Sequence, residues 1–279
     1  ACLARIAARE NQVGAWTYLD AERAIAEARA RDQEKPRSAL HGVPVGVKDI
    51  IDTHDMPTTC GSLAYGGVRP AHDAGCVALL REAGMVALGK TVTTEFAMIQ
   101  AGKTRNPHNP AFSPGGSSSG SAAAVGDRQV PLAIGTQTGG SIVRPSAYCG
   151  AVGYKPSFGS ITRAGVKLVS DSLDTLGPIG RSVADVAAFQ AIMEGRPVQP
   201  FAPLERPPRL GFCQSPAWPD ALPETPALMA EAVKRLKAAG AEYAVIDMEH
   251  TGFSFDTVRS VVRYLQAADL PSIVRVPSQ

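Results

Sequence analysis

Three segments of this chain carry side chains whose types and spacing suit acyl transfer. Gly135-Thr136-Gln137-Thr138-Gly139-Gly140-Ser141 presents a serine after two glycines, in a run with little side-chain bulk. Glycine has no Cβ, so backbone N–H groups there can approach a ligand closely. N–H donors converging beside a hydroxyl supply a nucleophile and a cradle for the oxyanion that its attack creates. A second cluster, Gly115-Gly116-Ser117-Ser118-Ser119-Gly120-Ser121, lies just upstream, and Lys48 stands in an apolar segment before both. Together they imply amide chemistry at a serine, with lysine rather than histidine as its base. Each segment alone has a plainer reading. Ser117, Ser118, Ser119 and Ser121 could cap and solubilise an alanine-rich helix, Ser141 could be a helix N-cap, and Lys48 could be a solvated lysine on a strand face.

The elements that must position these residues follow from local patterns. His41-Gly42-Val43-Pro44-Val45-Gly46-Val47-Lys48-Asp49 alternates, so a short strand would put Val43, Val45 and Val47 on one face and Lys48 on the other. Pro131-Leu132-Ala133-Ile134 predicts a brief apolar strand delivering the glycine-serine motif, and residues 119–125 a small-residue helix directly after the first serine cluster. Residues 105–116, rich in Pro, Asn and Gly, predict loop. Asp20 is placed to cap a helix over 21–31, Asp73 a helix ending at Glu82, and Ser182 a helix reaching Glu194. A strand over 85–88 follows Gly84. After the Pro-rich stretch 197–208, a strand over 209–213, a helix over 225–239 and a strand over 242–246 make a β-α-β pattern. Strands alternating with helices place the chain in the α/β class.

Two motifs mislead. Gly84-Met85-Val86-Ala87-Leu88-Gly89-Lys90-Thr91 fits the P-loop expression letter for letter. In a P-loop the four intervening residues form the phosphate-holding turn, whereas Met-Val-Ala-Leu favours a strand. Gly116-Ser117-Ser118-Ser119-Gly120 fits the nucleophile-elbow pattern, which needs a hydrophobic strand before it and a histidine after the acid. Here a Pro-rich loop precedes it; His41, His54, His72 and His108 come before the motif and only His250 after. A Ser-His-Asp arrangement is therefore disfavoured.

Composition sets wider bounds. With 279 residues and 44% hydrophobic content the chain can bury a substantial core. A formal charge of +2, with no basic run interleaved with aromatics, points away from nucleic acid and acidic membranes. No segment has the roughly 20 apolar residues of a membrane span. Cys2, Cys60, Cys76, Cys149 and Cys213 are odd in number and scattered, which predicts free thiols in a cytoplasmic protein rather than disulfides or zinc. No cofactor and no metal are expected. The chain does not open on Met, and a fragment incomplete at both ends is the expectation.

The three motifs also resemble the amidase signature family. Gly115 to Val125 looks like its glycine/serine segment, Gly139-Gly140-Ser141 followed by Arg144-Pro145 like its nucleophile segment, and Gly46-Val47-Lys48-Asp49 like its lysine motif. Similarity continues through Gly89-Lys90-Thr91-Val92-Thr93-Thr94-Glu95-Phe96 and Gly150-Ala151-Val152-Gly153-Tyr154-Lys155-Pro156, and is strong over residues 40–185. The resemblance implies a central twisted mixed β-sheet covered by α-helices on both sides. It implies a single domain over 1–279, with a catalytic core over 1–196 and a C-terminal α/β part over 209–279. It further implies Ser141 as nucleophile, Ser117 as bridging serine after a cis Gly116–Ser117 peptide, Lys48 as base, and an oxyanion hole from Thr138, Gly139, Gly140 and Ser141. Desolvation would lower the lysine pKa as this role requires.

Two departures bear on substrate. Gln137 stands where many members have Asp, and Val143 pushes the arginine to the third place after the serine, at Arg144. The pattern looks most like the malonamidase-like branch, in which Arg144, with Gln137 beside it, would meet a substrate carboxylate; a structural bond from Arg144 is the alternative. The expected substrate is a small carboxamide, with a homodimer as the expected assembly. A glutamine-hydrolysing component of an amidotransferase is the other enzymatic reading. A silent binding protein on the same fold is a third, against which the retention of Lys48, Ser117 and Ser141 argues.

Overall fold

A computed structural model describes residues 1–201, 205–206, 209–212 and 218–245. Cys213, Ile246 and His250 lie outside the described residues. The chain divides into two compact units, Ala1–Pro200 and Phe201–Gln279.

The first unit opens with α1 (Cys2–Val13), the short strand β1 (Trp16–Leu19) and α2 (Ala21–Asp32). Asp20 caps α2 as expected, its side chain accepting from Arg23 N at 2.9 Å, a bond worth about 1 kcal/mol. Next come β2 (Pro44–Lys48), α3 (Gly75–Glu82) and β3 (Val86–Thr91). Asp73 does not cap α3: Ala74 holds that position without a side-chain bond. Asp73 instead pairs with Arg81 at 3.0 Å, where Asp55 (2.7 Å) and Glu27 (3.2 Å) also converge. A guanidinium attracts a carboxylate more strongly than a neutral N–H does, and the cap is lost to it. The apparent P-loop residues form β3, which continues past the expected strand through Gly89, Lys90 and Thr91 and is buried throughout.

The unit continues with α4 (Ser119–Gly126), β4 (Leu132–Gln137), α5 (Val143–Tyr148), β5 (Val152–Gly153), β6 (Thr175–Gly180) and α6 (Val183–Met193), the last capped by Ser182. The six strands form one sheet in the order β1-β3-β2-β4-β6-β5. Pairing is parallel where β2 meets β3 and β4, and antiparallel elsewhere. β2 therefore sits inside the sheet. Its register with β4 runs unbroken, whereas its register with β3 shifts between Val45 and Gly46. Val45 and Val47 pack with Leu132, Ile134, Val77, Leu80, Phe189 and Ile192 on the face covered by α3 and α6. Trp16, Ala133, Ile6 and Ala122 to Val125 fill the opposite face under α1 and α4. This is a mixed α/β sheet with helices on both faces.

Of the strands that exceed or escape the sequence pattern, β4 and β6 bear on the loop that follows β4. β4 extends through Gly135-Thr136-Gln137 because these residues pair with Gly177, Leu176 and Thr175 of β6, and Ser118 Oγ accepts from Thr136 N and donates to Thr136 O, both at 3.2 Å. A Cβ on Gly135 would lie 2.9 Å from that Ser118 Oγ. β6 contains Gly177 and Pro178, residues that read as loop in sequence. Gly177 is needed there, since a Cβ would meet Tyr154 O at 2.1 Å.

In the second unit β7 (Arg209–Phe212), α7 (Glu224–Ala238) and β8 (Glu242–Val245) follow the expected β-α-β order, with β7 and β8 parallel. Among the described residues Cys60, Cys76 and Cys149 are buried free thiols. No helix among them is long and apolar enough to cross a membrane.

Candidate active site

Lys48 ends β2 with its side chain on the face opposite Val47, fully buried at 0% exposure. Its ammonium donates to Ser117 Oγ and to Thr136 Oγ1, each at 2.7 Å. Thr136 comes from β4, the strand next to β2, so two adjacent strands and the α4 entry meet at one nitrogen. Burial pushes the Lys48 ammonium down to about 7, against an opposing pull from the Asp174 carboxylate. A lysine with that value is half neutral near pH 7 and can accept a proton.

Ser117 is placed by the close seating of α4 on the sheet. A Cβ on Gly120 would come within 2.4 Å of Val92 N, and Gly120 N instead donates to Val92 O at 2.9 Å. The serines after Ser117 are not surface residues. Ser121 Oγ donates to Ile134 O at 2.9 Å and lies 2.6 Å from Thr91 Oγ1, and Ser119 Oγ reaches Val92 O at 3.4 Å. They fasten the helix to the strands. The Gly116–Ser117 peptide is cis, and Ser117 O accepts from Thr94 N at 3.2 Å.

Ser141 follows β4 at the end of an open loop, half-buried, and its carbonyl accepts from Ser118 N at 3.2 Å. That bond ties the backbone of Ser141 beside the Ser117–Ser118 pair. Among the described residues no hydrogen bond reaches the Ser141 hydroxyl, so the geometry joins Lys48 to Ser117 and places Ser141 alongside. The N–H groups of Thr138, Gly139, Gly140 and Ser141 likewise donate to no described residue. Space above the loop is open: a Cβ on Gly139 would meet nothing within 4 Å, and one on Gly140 only Arg144 Cβ at 3.9 Å. Four free donors around an open space can hold an anionic oxygen.

Gln137 and Arg144 both have partners within the chain. Gln137 Oε1 accepts from Ile142 N (2.9 Å) and Val143 N (3.0 Å), and Nε2 donates to Gly139 O at 3.2 Å. Its amide thus closes the 137–143 loop. Arg144, exposed on α5, donates from Nη2 (2.8 Å) and Nε (3.3 Å) to Gly116 O, the carbonyl of the cis peptide. Sequence reasoning missed Thr136 and Asp174. Thr136 lies within the glycine-serine motif itself, one of the two hydroxyls between Gly135 and Gly139. Asp174 sits in Ser170-Asp171-Ser172-Leu173-Asp174-Thr175, which has no readable period.

A second buried lysine, Lys90, belongs to β3. It pairs with Asp49 at 3.1 Å and donates to Pro57 O (3.0 Å) and Thr58 Oγ1 (2.7 Å). Asp49 is thereby engaged away from its sequence neighbour Lys48. His54, Asp55 and Asp73 bring ligand-type atoms within 4.8 Å of one another. Arg81 and Arg23 already meet both carboxylates at 2.7–3.0 Å, so arginine supplies the positive charge there.

A family model described as Amidase matches residues 1–270. The chain belongs to the amidase family. A glutamyl-tRNA(Gln) amidotransferase component from Chloroflexus aggregans is 38% identical to this amidase-family chain over 92% of its length, and the chain covers 58% of that protein. Among solved structures, the peptide amidase of Stenotrophomonas maltophilia matches with a TM-score of 0.79 and 36% identity, over 97% of this chain and 64% of that one. The corresponding glutamyl-tRNA(Gln) amidotransferase component of Thermotoga maritima matches with a TM-score of 0.75 and 28% identity, over 96% and 66%. The chain spans between 42% and 58% of the length of the first curated relatives it matches. The mixed sheet with helices on both faces is the amidase signature fold expected from the motifs.

Proposed function

We propose that this chain carries the catalytic core of an enzyme that hydrolyses the C–N bond of a carboxamide through an acyl-enzyme on Ser141. The observation that carries this reading is the 2.7 Å bond between buried Lys48 and Ser117 Oγ, at a nitrogen pushed down to about 7. In the proposed reaction neutral Lys48 takes the Ser117 proton while Ser117 takes that of Ser141. Ser141 Oγ attacks the carbonyl carbon, and the oxyanion settles among the N–H groups of Thr138, Gly139, Gly140 and Ser141. The proton then returns from Lys48 through Ser117 to the leaving nitrogen, because an amide nitrogen leaves poorly as an anion. Water cleaves the acyl-enzyme by the same route. Gln137 serves this scheme by holding the loop that bears both the nucleophile and the N–H groups.

Within that class, an acidic amide such as malonamate is the finer proposal. Arg144 is exposed beside the loop, and its Nη1 has no partner among the described residues, so it could meet a carboxylate while Nη2 stays on Gly116 O. A second reading makes glutamine the carboxamide and this chain part of a larger assembly. The relatives named as components of glutamyl-tRNA(Gln) amidotransferases favour it. Covalent labelling by a fluorophosphonate, lost in Ser141→Ala, tests the shared mechanism; a folded protein that is never labelled would refute it. Ammonia release over a panel including malonamate and glutamine then separates the two substrates.

A further inference from the structure

Asp174 stands at the entry to β6, buried, beside the paired residues Gln137 and Thr175. Three donors converge on its carboxylate. Thr138 Oγ1 donates to Oδ1, while Val169 N (2.5 Å) and Ser170 N (3.1 Å) donate to Oδ2. Every contact is one in which the carboxyl group accepts, the pattern of the ionised form. Thr136 lies in β4, and Thr138 follows the last residue of that strand, Gln137. Thr136 holds Lys48 and Thr138 holds Asp174, so the buried ammonium and the buried carboxylate are both fastened to the same short segment.

Resting on the amidase reading above, we propose that Asp174 is a positioning residue of this site. Its carboxylate latches Thr138, and with it the N–H groups of 138–141, to the entry of β6. Its negative charge also favours the ammonium that Lys48 becomes when the nucleophile is deprotonated. The first effect keeps the oxyanion donors in place before substrate arrives; the second stabilises the ion pair formed as the proton reaches Lys48. Other charges on the surrounding elements are committed elsewhere or distant in role. Lys90 on β3 is paired with Asp49, Arg144 on α5 lies on Gly116 O, Lys167 and Asp171 are on the loop before β6, and Glu95 begins a short 3-10 helix. Against the larger effect of burial, the Asp174 carboxylate pulls the Lys48 ammonium upward.

Asp174→Asn isolates the charge. The amide oxygen can still accept from Val169 N and Ser170 N, and its NH2 can donate to the rotatable Thr138 hydroxyl. The probe is the rate of fluorophosphonate inactivation as a function of pH, which needs no knowledge of the substrate. In Asp174→Asn the plateau rate should fall roughly tenfold or more, and the midpoint of the acid limb should move down by roughly half a pH unit or more. Asp174→Glu should keep the midpoint near that of the parent. A folded Asp174→Asn with a plateau rate within about twofold and an unmoved midpoint would overturn the proposal. Should that variant fail to fold by circular dichroism, Thr138→Val cuts the latch and leaves the charge. Its plateau rate should drop with the midpoint unmoved, and an unchanged rate would overturn the latch. If the parent protein itself is not labelled at Ser141, the amidase reading falls and the role of Asp174 with it.

Discussion

Replacing Lys48 by methionine should change how stability depends on pH, in a direction and by an amount that follow from burial. The lysine has an ordinary value of 10.5 in the unfolded chain and about 7 in the folded one. Between those values the unfolded chain holds a proton that the folded protein does not. Stability therefore rises with pH across this window. The penalty for burying the amine is absent above 10.5, grows as pH falls, and is complete below about 7. Methionine binds no proton, so Lys48→Met lacks this dependence. From pH 7 to pH 9 the parent should gain about 2 kcal/mol on the variant. The hydroxyls of Ser117 and Thr136, left without their donor, cost the variant the same at both pH values and drop out of the difference. Lys90 titrates alike in the two proteins. Urea unfolding at pH 7 and pH 9, with equal m-values for parent and variant, measures the quantity directly. If the two stabilities stay parallel to within about 0.5 kcal/mol over that range, Lys48 is not the depressed lysine that the proposed chemistry requires.

The same value predicts that inactivation by a fluorophosphonate follows an acid limb with its midpoint near pH 7, rising toward higher pH as Lys48 loses its proton; a limb near pH 10 would contradict it. Gln137→Ala frees Ile142 N, Val143 N and Gly139 O at once, and should slow labelling about ten- to a hundredfold by loosening the donor loop. Wild-type rates in that variant would show that the loop needs no such closure. Arg144→Ala should raise KM about tenfold or more for acidic amides while neutral amides change little. Equal losses on both would assign Arg144 to the Gly116 carbonyl alone.

The site was legible where chemistry and spacing coincide. Alternation around Val43, Val45 and Val47 placed Lys48 on the correct face of a strand, because one side of β2 is apolar and the other is not. The serines after Ser117 were harder. Alone they look like solubilising caps, yet the structure uses them on strand carbonyls, which local sequence does not reveal. The strand character of Gly135-Thr136-Gln137 was hidden because its pairing partner is β6, itself unread in the sequence, and because Thr136 meets the Ser118 hydroxyl rather than an apolar layer. β6 was hidden by Gly177 and Pro178, both usually strand breakers, and the glycine is required because Tyr154 approaches so closely. Asp73 failed as a cap because Arg81, distant along the helix, competes for it. Asp174 was not found, since Val169 N and Ser170 N bind it within its own patternless loop and Thr138 meets it only in the folded sheet.

The register of β2 has a consequence for the sign of charge at the site. Lys48 and Asp49 are consecutive, and a strand turns consecutive side chains to opposite faces. As paired, the amine faces Ser117 and the carboxylate goes to Lys90. A slip of one residue would put Asp49 in the place of Lys48, setting an acid against the serine, and Lys48 in the place of Val47, burying the amine in the apolar cluster under α3 and α6. The pairing of β2 with β3 shifts between Val45 and Gly46, whereas its pairing with β4 does not. That irregularity lets one strand satisfy two neighbours with different phases, and the phase it reaches at its end is the one that turns the Lys48 amine to Ser117 Oγ.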